Sequence, residues 1–230
     1  MQEKVGGPVG PIVDTTPGKL PGAVTLRGRF GHIEKLDAAR HGKDLWQGVK
    51  SDDTLWNYLG YGPFPDETAF QEWLATRPPL ADPYSYAIVD ADGRAVGIST
   101  LMEIRPAMRV IEVGNILYAT PLQRTPLATE AQYLLARYAF EDLGYRRYEW
   151  KCNALNAPSR RSAKRFGFTY EGEFRQHMII KGRNRDTSWF SMTDAEWPAC
   201  KAAFERWLAP DNFDAAGRQK ATLEACRGTA

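Results

Sequence analysis

Cysteine is scarce in this chain. Its three residues, Cys152, Cys200 and Cys226, are odd in number and far apart. That excludes a disulfide framework and fits a reducing, cytoplasmic compartment. Net charge is nearly absent too: Lys and Arg number 30, Asp and Glu 28, leaving +2. The basic excess that usually marks a nucleic-acid binder is missing, so no nucleic-acid partner is expected. No apolar run approaches the roughly 20 residues that span a bilayer. The N-terminus has no charged start followed by an apolar stretch, so neither a membrane nor a secretory signal is expected. No metal site is expected. What is present is an ordinary globular composition of 230 residues, 43% hydrophobic and 25% charged, enough for one core and one domain.

Residues 1–23 hold Gly6, Gly7, Pro8, Gly10, Pro11, Pro17, Gly18, Pro21 and Gly22. Such a stretch buries little apolar surface, and it is expected to be a flexible arm or one laid over a neighbour. Residues 24–208 carry the regular patterns, and 209–230 form a small, polar tail. Val24–Leu36 reads as a short hairpin. Asp37 and Asp66 are set to cap helices, with a short helix near Asp52–Leu59 between them. Strands are expected at Tyr84–Val89, Ala95–Ile104 and Arg109–Tyr118, the first two joined by the Asp92-Gly93 turn. A long helix follows over Pro126–Leu143, then a strand at Tyr148–Cys152 and a helix at Asn156–Phe166. Strands at Thr169–Ile180 and Thr187–Met192 come next, then a last helix over Glu196–Leu208 capped by Asp194. This order makes a mixed α/β domain. Its helical crossover lets the strands at Arg109–Tyr118 and Tyr148–Cys152 lie parallel.

Two turns could carry chemistry. In the first, Gln123-Arg124-Thr125-Pro126-Leu127-Ala128-Thr129, a strand enters a helix. Thr125 suits the N-cap and Pro126 the first helical position. The amides of Leu127, Ala128 and Thr129, with the helix dipole, can hold a pyrophosphate. The second is Asn156-Ala-Pro-Ser159, followed by Gly167-Phe168. Taken singly, each turn is an ordinary helix start.

Taken together at this spacing, they resemble the GNAT superfamily of N-acetyltransferases. That family has a Q/R-x-x-G-x-G/A turn, here Gln123-x-x-Pro126-x-Ala128, and an asparagine followed eleven residues on by G-F, here Asn156 and Gly167-Phe168. Asn156-Ala-Pro-Ser159 and Tyr170-Glu-Gly172 are similar to the RimJ/RimL-like branch. The likeness covers roughly residues 24–195. It implies a central, strongly twisted mixed sheet of about seven strands flanked by helices, acetyl-CoA as cosubstrate, and direct transfer to an amine. A homodimer is compatible with it.

Two departures stand out. Pro126 replaces the usual first glycine and removes one N–H, leaving Arg124 and the remaining amides to meet the phosphates. Ala163 stands where many family members carry a tyrosine acid, and in the RimL-like branch a serine at the Ser159 position does that work. The branch's glutamate base maps to Met178, beside His177, which strand alternation would turn to the opposite face.

The resemblance then implies these roles. Ile116, Leu117 and Tyr118 line the thioester through an irregular strand. Asn156, Ser159, Arg161 and Lys164 lie along the CoA, and Ser159 protonates the departing thiolate. Glu112, in Ile111-Glu-Val-Gly114, ranks first as general base and His177 second. Trp46, Tyr61, Phe64, Asn115 and Trp150 are expected to form the acceptor pocket. The acceptor is a small-molecule amine. The alternatives are a peptide N-terminus, or no acceptor at all if the chain only binds acyl-CoA.

Overall fold

The computed structural model describes residues 10–228; the part of the N-terminal arm at 1–9 lies outside the described residues. Eight strands form one sheet in the order β1-β2-β3-β4-β5-β6-β8-β7. They are β1 Thr25–Arg27, β2 Gly31–Lys35, β3 Tyr84–Asp90, β4 Ala95–Arg105, β5 Val110–Tyr118, β6 Arg147–Asn153, β7 Thr169–Ile180 and β8 Arg183–Thr193. The short β1–β2 hairpin, expected over Val24–Leu36, pairs onto β3, and the sheet holds eight strands against the expected seven or so. All neighbours are antiparallel except β5 and β6.

Alternation along β3 shows how helices on both faces use the sheet. Tyr86 and Ile88 enter one buried cluster with α3 (Pro126–Arg137), α4 (Ala157–Phe166), α5 (Trp197–Leu208) and α6 (Leu223–Arg227). Ala87 and Val89 enter a second cluster with α1 (Ala38–Val49) and α2 (Glu67–Ala75). A strand buried on both faces reads as a continuous apolar run rather than an alternating one. The second face is covered only toward β3–β5. Toward β6–β8 the same face carries polar and charged side chains, which is where the site below lies.

The expected caps form at Asp37, Asp66, Thr125 and Asn156, whose side chains accept the amides of Arg40, Ala69, Ala128 and Ser159. Asp194 caps nothing: Glu196 instead turns back, its carboxylate accepting the Thr193 amide and hydroxyl at 2.8 Å each. The expected helix 126–143 is α-helical only to Arg137. Tyr138–Asp142 widen into a π-turn closed by the Leu143 amide on the Tyr138 carbonyl. Part of the arm is tied to the domain itself: Gly18 and Lys19 donate to the carbonyls of Pro106 and Leu143, and Gly22 bonds the hydroxyls of Tyr138 and Tyr86. At the other end Arg206 and Arg227 bind α6 to α5 and α4, donating to the carbonyls of Cys226 and Arg165.

Candidate functional site

β5 and β6 pair in parallel from Val110↔Arg147 to Val113↔Trp150 and then part. Beyond that point β5 runs on to Tyr118 and β6 to Asn153, with no register between them. The cause lies on the β4 side of β5. Thr100 pairs with Gly114 and Ile98 with Leu117, so Asn115 and Ile116 stand opposite Ser99 alone. Asn115 adopts φ +47, and its side-chain amide donates to Thr100 Oγ1 at 3.3 Å. Such a bulge bends a strand and raises its local twist. It opens a V between two parallel strands, with residues 114–118 of β5 unpaired along it. The irregularity thus starts at Asn115, one residue before the expected Ile116–Tyr118. Leu117 is back in register and packs under α1 and α2.

Past the end of β5, the chain turns into α3. Arg124 takes φ +61, and Thr125 caps the helix, its hydroxyl accepting the Ala128 amide at 3.3 Å. Gln123 and Thr125 donate their amides to Thr120 and Leu122. Leu127, at the second helical position, has no carbonyl one turn earlier to take its N–H. Of the three helical amides singled out in the sequence, Leu127 therefore offers the donor, while Ala128 spends its own on the cap. Thr129 acts through its side chain, whose hydroxyl accepts from Arg165 at 2.9 Å and ties α3 to α4. Tyr118 is anchored from both sides: Gln132 and Ala128 hold its hydroxyl, and the Gln123 side chain donates to its carbonyl.

On the other wall, β6 ends and α4 begins. Asn156 caps α4 by accepting the Ser159 amide at 3.1 Å. The Ser159 hydroxyl accepts the indole N–H of Trp150 at 3.0 Å. Burial pushes the nearby Cys152 thiol up, with Ser159 acting against it. Arg161 and Lys164 are exposed along the same helix. Trp150 lies on the face of Phe166 and Phe168, opposite the α1–α2 aromatics. It does not join an acceptor pocket with Tyr61. Its even spacing from Tyr148 and Cys152 dictates this.

The odd-numbered residues of β6 turn the other way. Lys151 sits one step past the last β5–β6 pair, its ammonium 2.9 Å from Glu112 and 3.4 Å from Glu149. It also lies 4.1 Å over the Trp189 ring. Glu149 further holds Arg105 at 2.6 Å and Arg147 at 2.7 Å. Arg147 in turn holds Glu171, which accepts from the Ser191 hydroxyl. Glu112 is 5% exposed. Desolvation pushes its carboxyl up to about 7 although Lys151 pulls the other way. A buried carboxyl poised near neutrality beside an opened strand pair has the marks of a general base. The alternating sequence Arg147-Tyr-Glu-Trp-Lys-Cys-Asn153 carried the signal for this network, and reading Lys151 and Glu149 onto one face would have found both.

His177 joins the same face. Between Phe174↔Thr187 and Met178↔Arg185, three β7 residues stand opposite Asp186 alone, and Gln176 takes φ +51. The bulge breaks the alternation assumed from sequence. His177 packs on Trp189 and Phe174, with Nδ1 3.0 Å from the Thr187 hydroxyl. An open groove of about 640 Å³ runs past Phe174, Arg175, Gln176 and His177. A second cavity, of about 10 Å³, lies between Tyr61, Trp73, Arg77, Pro83, Ser85, Ile98, Thr100 and Asn115. Tyr61 and Asn115 both line this gap, which has room for about one water. Trp46 and Phe64 do not line it: they pack on Phe70 within the α1–α2 core. Dense aromatics on α1, α2 and their loop are explained by packing. Among the described residues no group of three or more His, Cys, Asp or Glu could hold a metal, and no helix is long and apolar enough to cross a membrane.

The acetyltransferase (GNAT) domain family matches residues 33–169. The chain is similar to a GCN5-related N-acetyltransferase from Brucella melitensis, 47% identical with a TM-score of 0.90, over 93% of this chain and 98% of that one. It is similar as well to a probable acetyltransferase of the GNAT family from Chromobacterium violaceum, 42% identical with a TM-score of 0.77, over 84% and 98%. A Bacillus subtilis protein named as a ribosomal N-acetyltransferase, YdaF, is 29% identical over 106 residues, 46% of this chain. That match spans 57% of the relative's length.

Proposed function

The chain belongs to the GNAT acetyltransferase family, and from that premise we propose that it is a cytoplasmic acetyl-CoA-dependent N-acetyltransferase that acts on a primary amine. The observation that carries this reading is the parting of β5 and β6 after Val113↔Trp150, with the α3 start at one end and Ser159 on the far wall. The residues present fit a long thioester that bears a pyrophosphate. The β5 stretch 114–118, which has no β6 partner, offers backbone groups on that side to an amide-bearing chain. Arg124 and the Leu127 amide meet phosphate at a helix N-terminus. Gln123, Thr125, Ala128 and Thr129 shape that turn rather than donate to it, and Asn156, Arg161 and Lys164 border it from α4. Acetyl-CoA supplies the activated acetyl group.

The chain's own residues do the rest. A free amide at Ile116–Tyr118 faces the thioester carbonyl and stabilises charge that develops on its oxygen. Glu112 takes the proton that the attacking amine must lose, directly or through water, while Lys151 holds the carboxylate in place. The C–N bond forms and charge gathers on the carbonyl oxygen; as it returns, the C–S bond breaks with its electron pair passing to sulfur, the Ser159 hydroxyl gives that sulfur its proton, and solvent restores the serine proton as it takes the one Glu112 releases. In net terms an amine and a thioester become an amide and a thiol. His177, exposed at the β7 bulge, is the second candidate for the base. Tyr61 and Asn115 border the acceptor in this reading, although the gap they share, about 10 Å³, holds no more than a water.

The acceptor we propose is a small-molecule amine: an amino acid, a polyamine or an antibiotic-like amine. The second reading, a protein α-amino group, draws on the name of the B. subtilis relative. An acceptor panel of amines and N-terminal peptides, scored by mass of the acetylated product, separates them. Product from peptides alone would overturn the first reading. A homodimer is part of the proposal, and sedimentation of the full chain tests it.

A further inference from the structure

Trp150 stands where β5 and β6 part, being the last β6 residue in register with β5. Its side chain is 5% exposed and is wedged between Phe166 and Phe168, with ring centroids 6.0 and 5.6 Å away. So held, the indole has one polar atom, and that atom meets Ser159 Oγ at 3.0 Å.

We propose that Trp150 is a positioning residue that fixes and polarises the Ser159 hydroxyl for donation to the departing sulfur, an inference that rests on the reading of Ser159 given above. An indole N–H can only donate, so the direction of this bond is not open to a flip or a tautomer. Ser159 Oγ must accept it, which leaves the serine's own hydrogen to be given. The serine backbone is also pinned, because its amide donates to Asn156 Oδ1. With the oxygen held on one side and the backbone on the other, the O–H swings over a narrow range. A hydroxyl that accepts one hydrogen bond becomes a better donor in the next, because the chain of bonds is mutually polarising. The same serine without the indole would rotate freely and donate more weakly. If the bond only satisfied a buried indole N–H, its loss would lower stability and leave the rate alone.

Trp150→Phe removes the N–H and keeps an aromatic ring between Phe166 and Phe168. With acetyl-CoA and an amine from the panel, kcat is expected to fall about three- to tenfold, the range for one neutral hydrogen bond, with KM for acetyl-CoA within about twofold. Ser159→Ala falls further, and the double variant is no slower than Ser159→Ala, because the indole acts only through the hydroxyl. If Trp150→Phe does not fold, benzothienylalanine at position 150 replaces the N–H by sulfur and keeps the bicyclic shape. A readout independent of turnover is the Trp150 indole proton in NMR spectra of the ligand-free protein. It is expected to exchange slowly and to shift in Ser159→Ala; an unshifted, fast-exchanging signal overturns the bond. If Ser159→Ala slows the reaction while Trp150→Phe does not, or if the two losses multiply, the positioning role is overturned and the acid role of Ser159 stands. If Ser159→Ala is itself without effect on rate, both fall.

Discussion

Glu112→Gln keeps the shape of a buried side chain and deletes its proton affinity. The carboxyl sits beside Lys151 at 2.9 Å, is 5% exposed, and is pushed by burial from 4.5 up to about 7. A base with that value has to be ionised to work. In the wild type, kcat/KM is therefore expected to fall to about a tenth of its plateau at pH 6 and about a hundredth at pH 5. In the glutamine variant the limb near pH 7 disappears. The plateau drops by about 10²-fold and not to zero, because proximity in the opened strand pair supplies much of the rate. Stability follows the same group with its own sign. A carboxyl whose folded value is raised binds its proton more tightly in the native state, so the charged form destabilises the fold. That cost is absent below about pH 4.5 and grows to on the order of 3 kcal/mol as pH rises through 7. Urea unfolding of wild type and variant across pH 4–8 should then show a difference that closes toward acid. Initial rates from pH 5 to 9 are the decisive assay. A wild-type limb that survives unchanged in Glu112→Gln would refute the assignment of Glu112 as base and move it to His177 or water.

Three further predictions follow from the fold and the cofactor turn. Glu130, buried on α3, accepts the amides of Arg29 and Phe30 at 2.6 and 2.8 Å; Glu130→Ala leaves both unpaired and should lower unfolding free energy by about 3 kcal/mol, measured by urea titration. A Cβ on Gly31 would lie 2.3 Å from the Val89 carbonyl oxygen; Gly31→Ala should cost at least about 2 kcal/mol, seen as a lower melting temperature, and an unchanged melt would contradict the β2–β3 register. Arg124→Ala should raise KM for acetyl-CoA about tenfold with kcat nearly constant, since it removes binding made equally before and during reaction; a fall in kcat alone would contradict a phosphate role.

The elements were legible in the sequence where periodicity and caps agreed. Thr169–Ile180 forms over the span read for it, and Asp37, Asp66, Thr125 and Asn156 cap the helices they precede. Irregularity was less legible. Alternation assigned His177 to the wrong face because nothing in Phe174-Arg-Gln-His-Met178 announces three residues bulging opposite one. Asp194 had the right residue type for a cap, but Glu196 reached Thr193 first. In the site, the turn at Gln123–Thr129 was legible from its Thr-Pro signature, but the cap that signature implies also takes the Ala128 amide. Trp150 read as one more aromatic near a pocket. Its meeting with Ser159 depends on α4 folding back over β6, a tertiary contact that nine residues of spacing do not encode.

The most direct test of the account is thiol release from acetyl-CoA by the full chain, measured with and without each amine in the panel and matched to acetylated product. Release is expected to require an amine, to equal product mole for mole, and to fall in Glu112→Gln and Ser159→Ala. Saturable acetyl-CoA binding with no release for any amine or N-terminal peptide would contradict it and leave an acyl-CoA-binding module in its place.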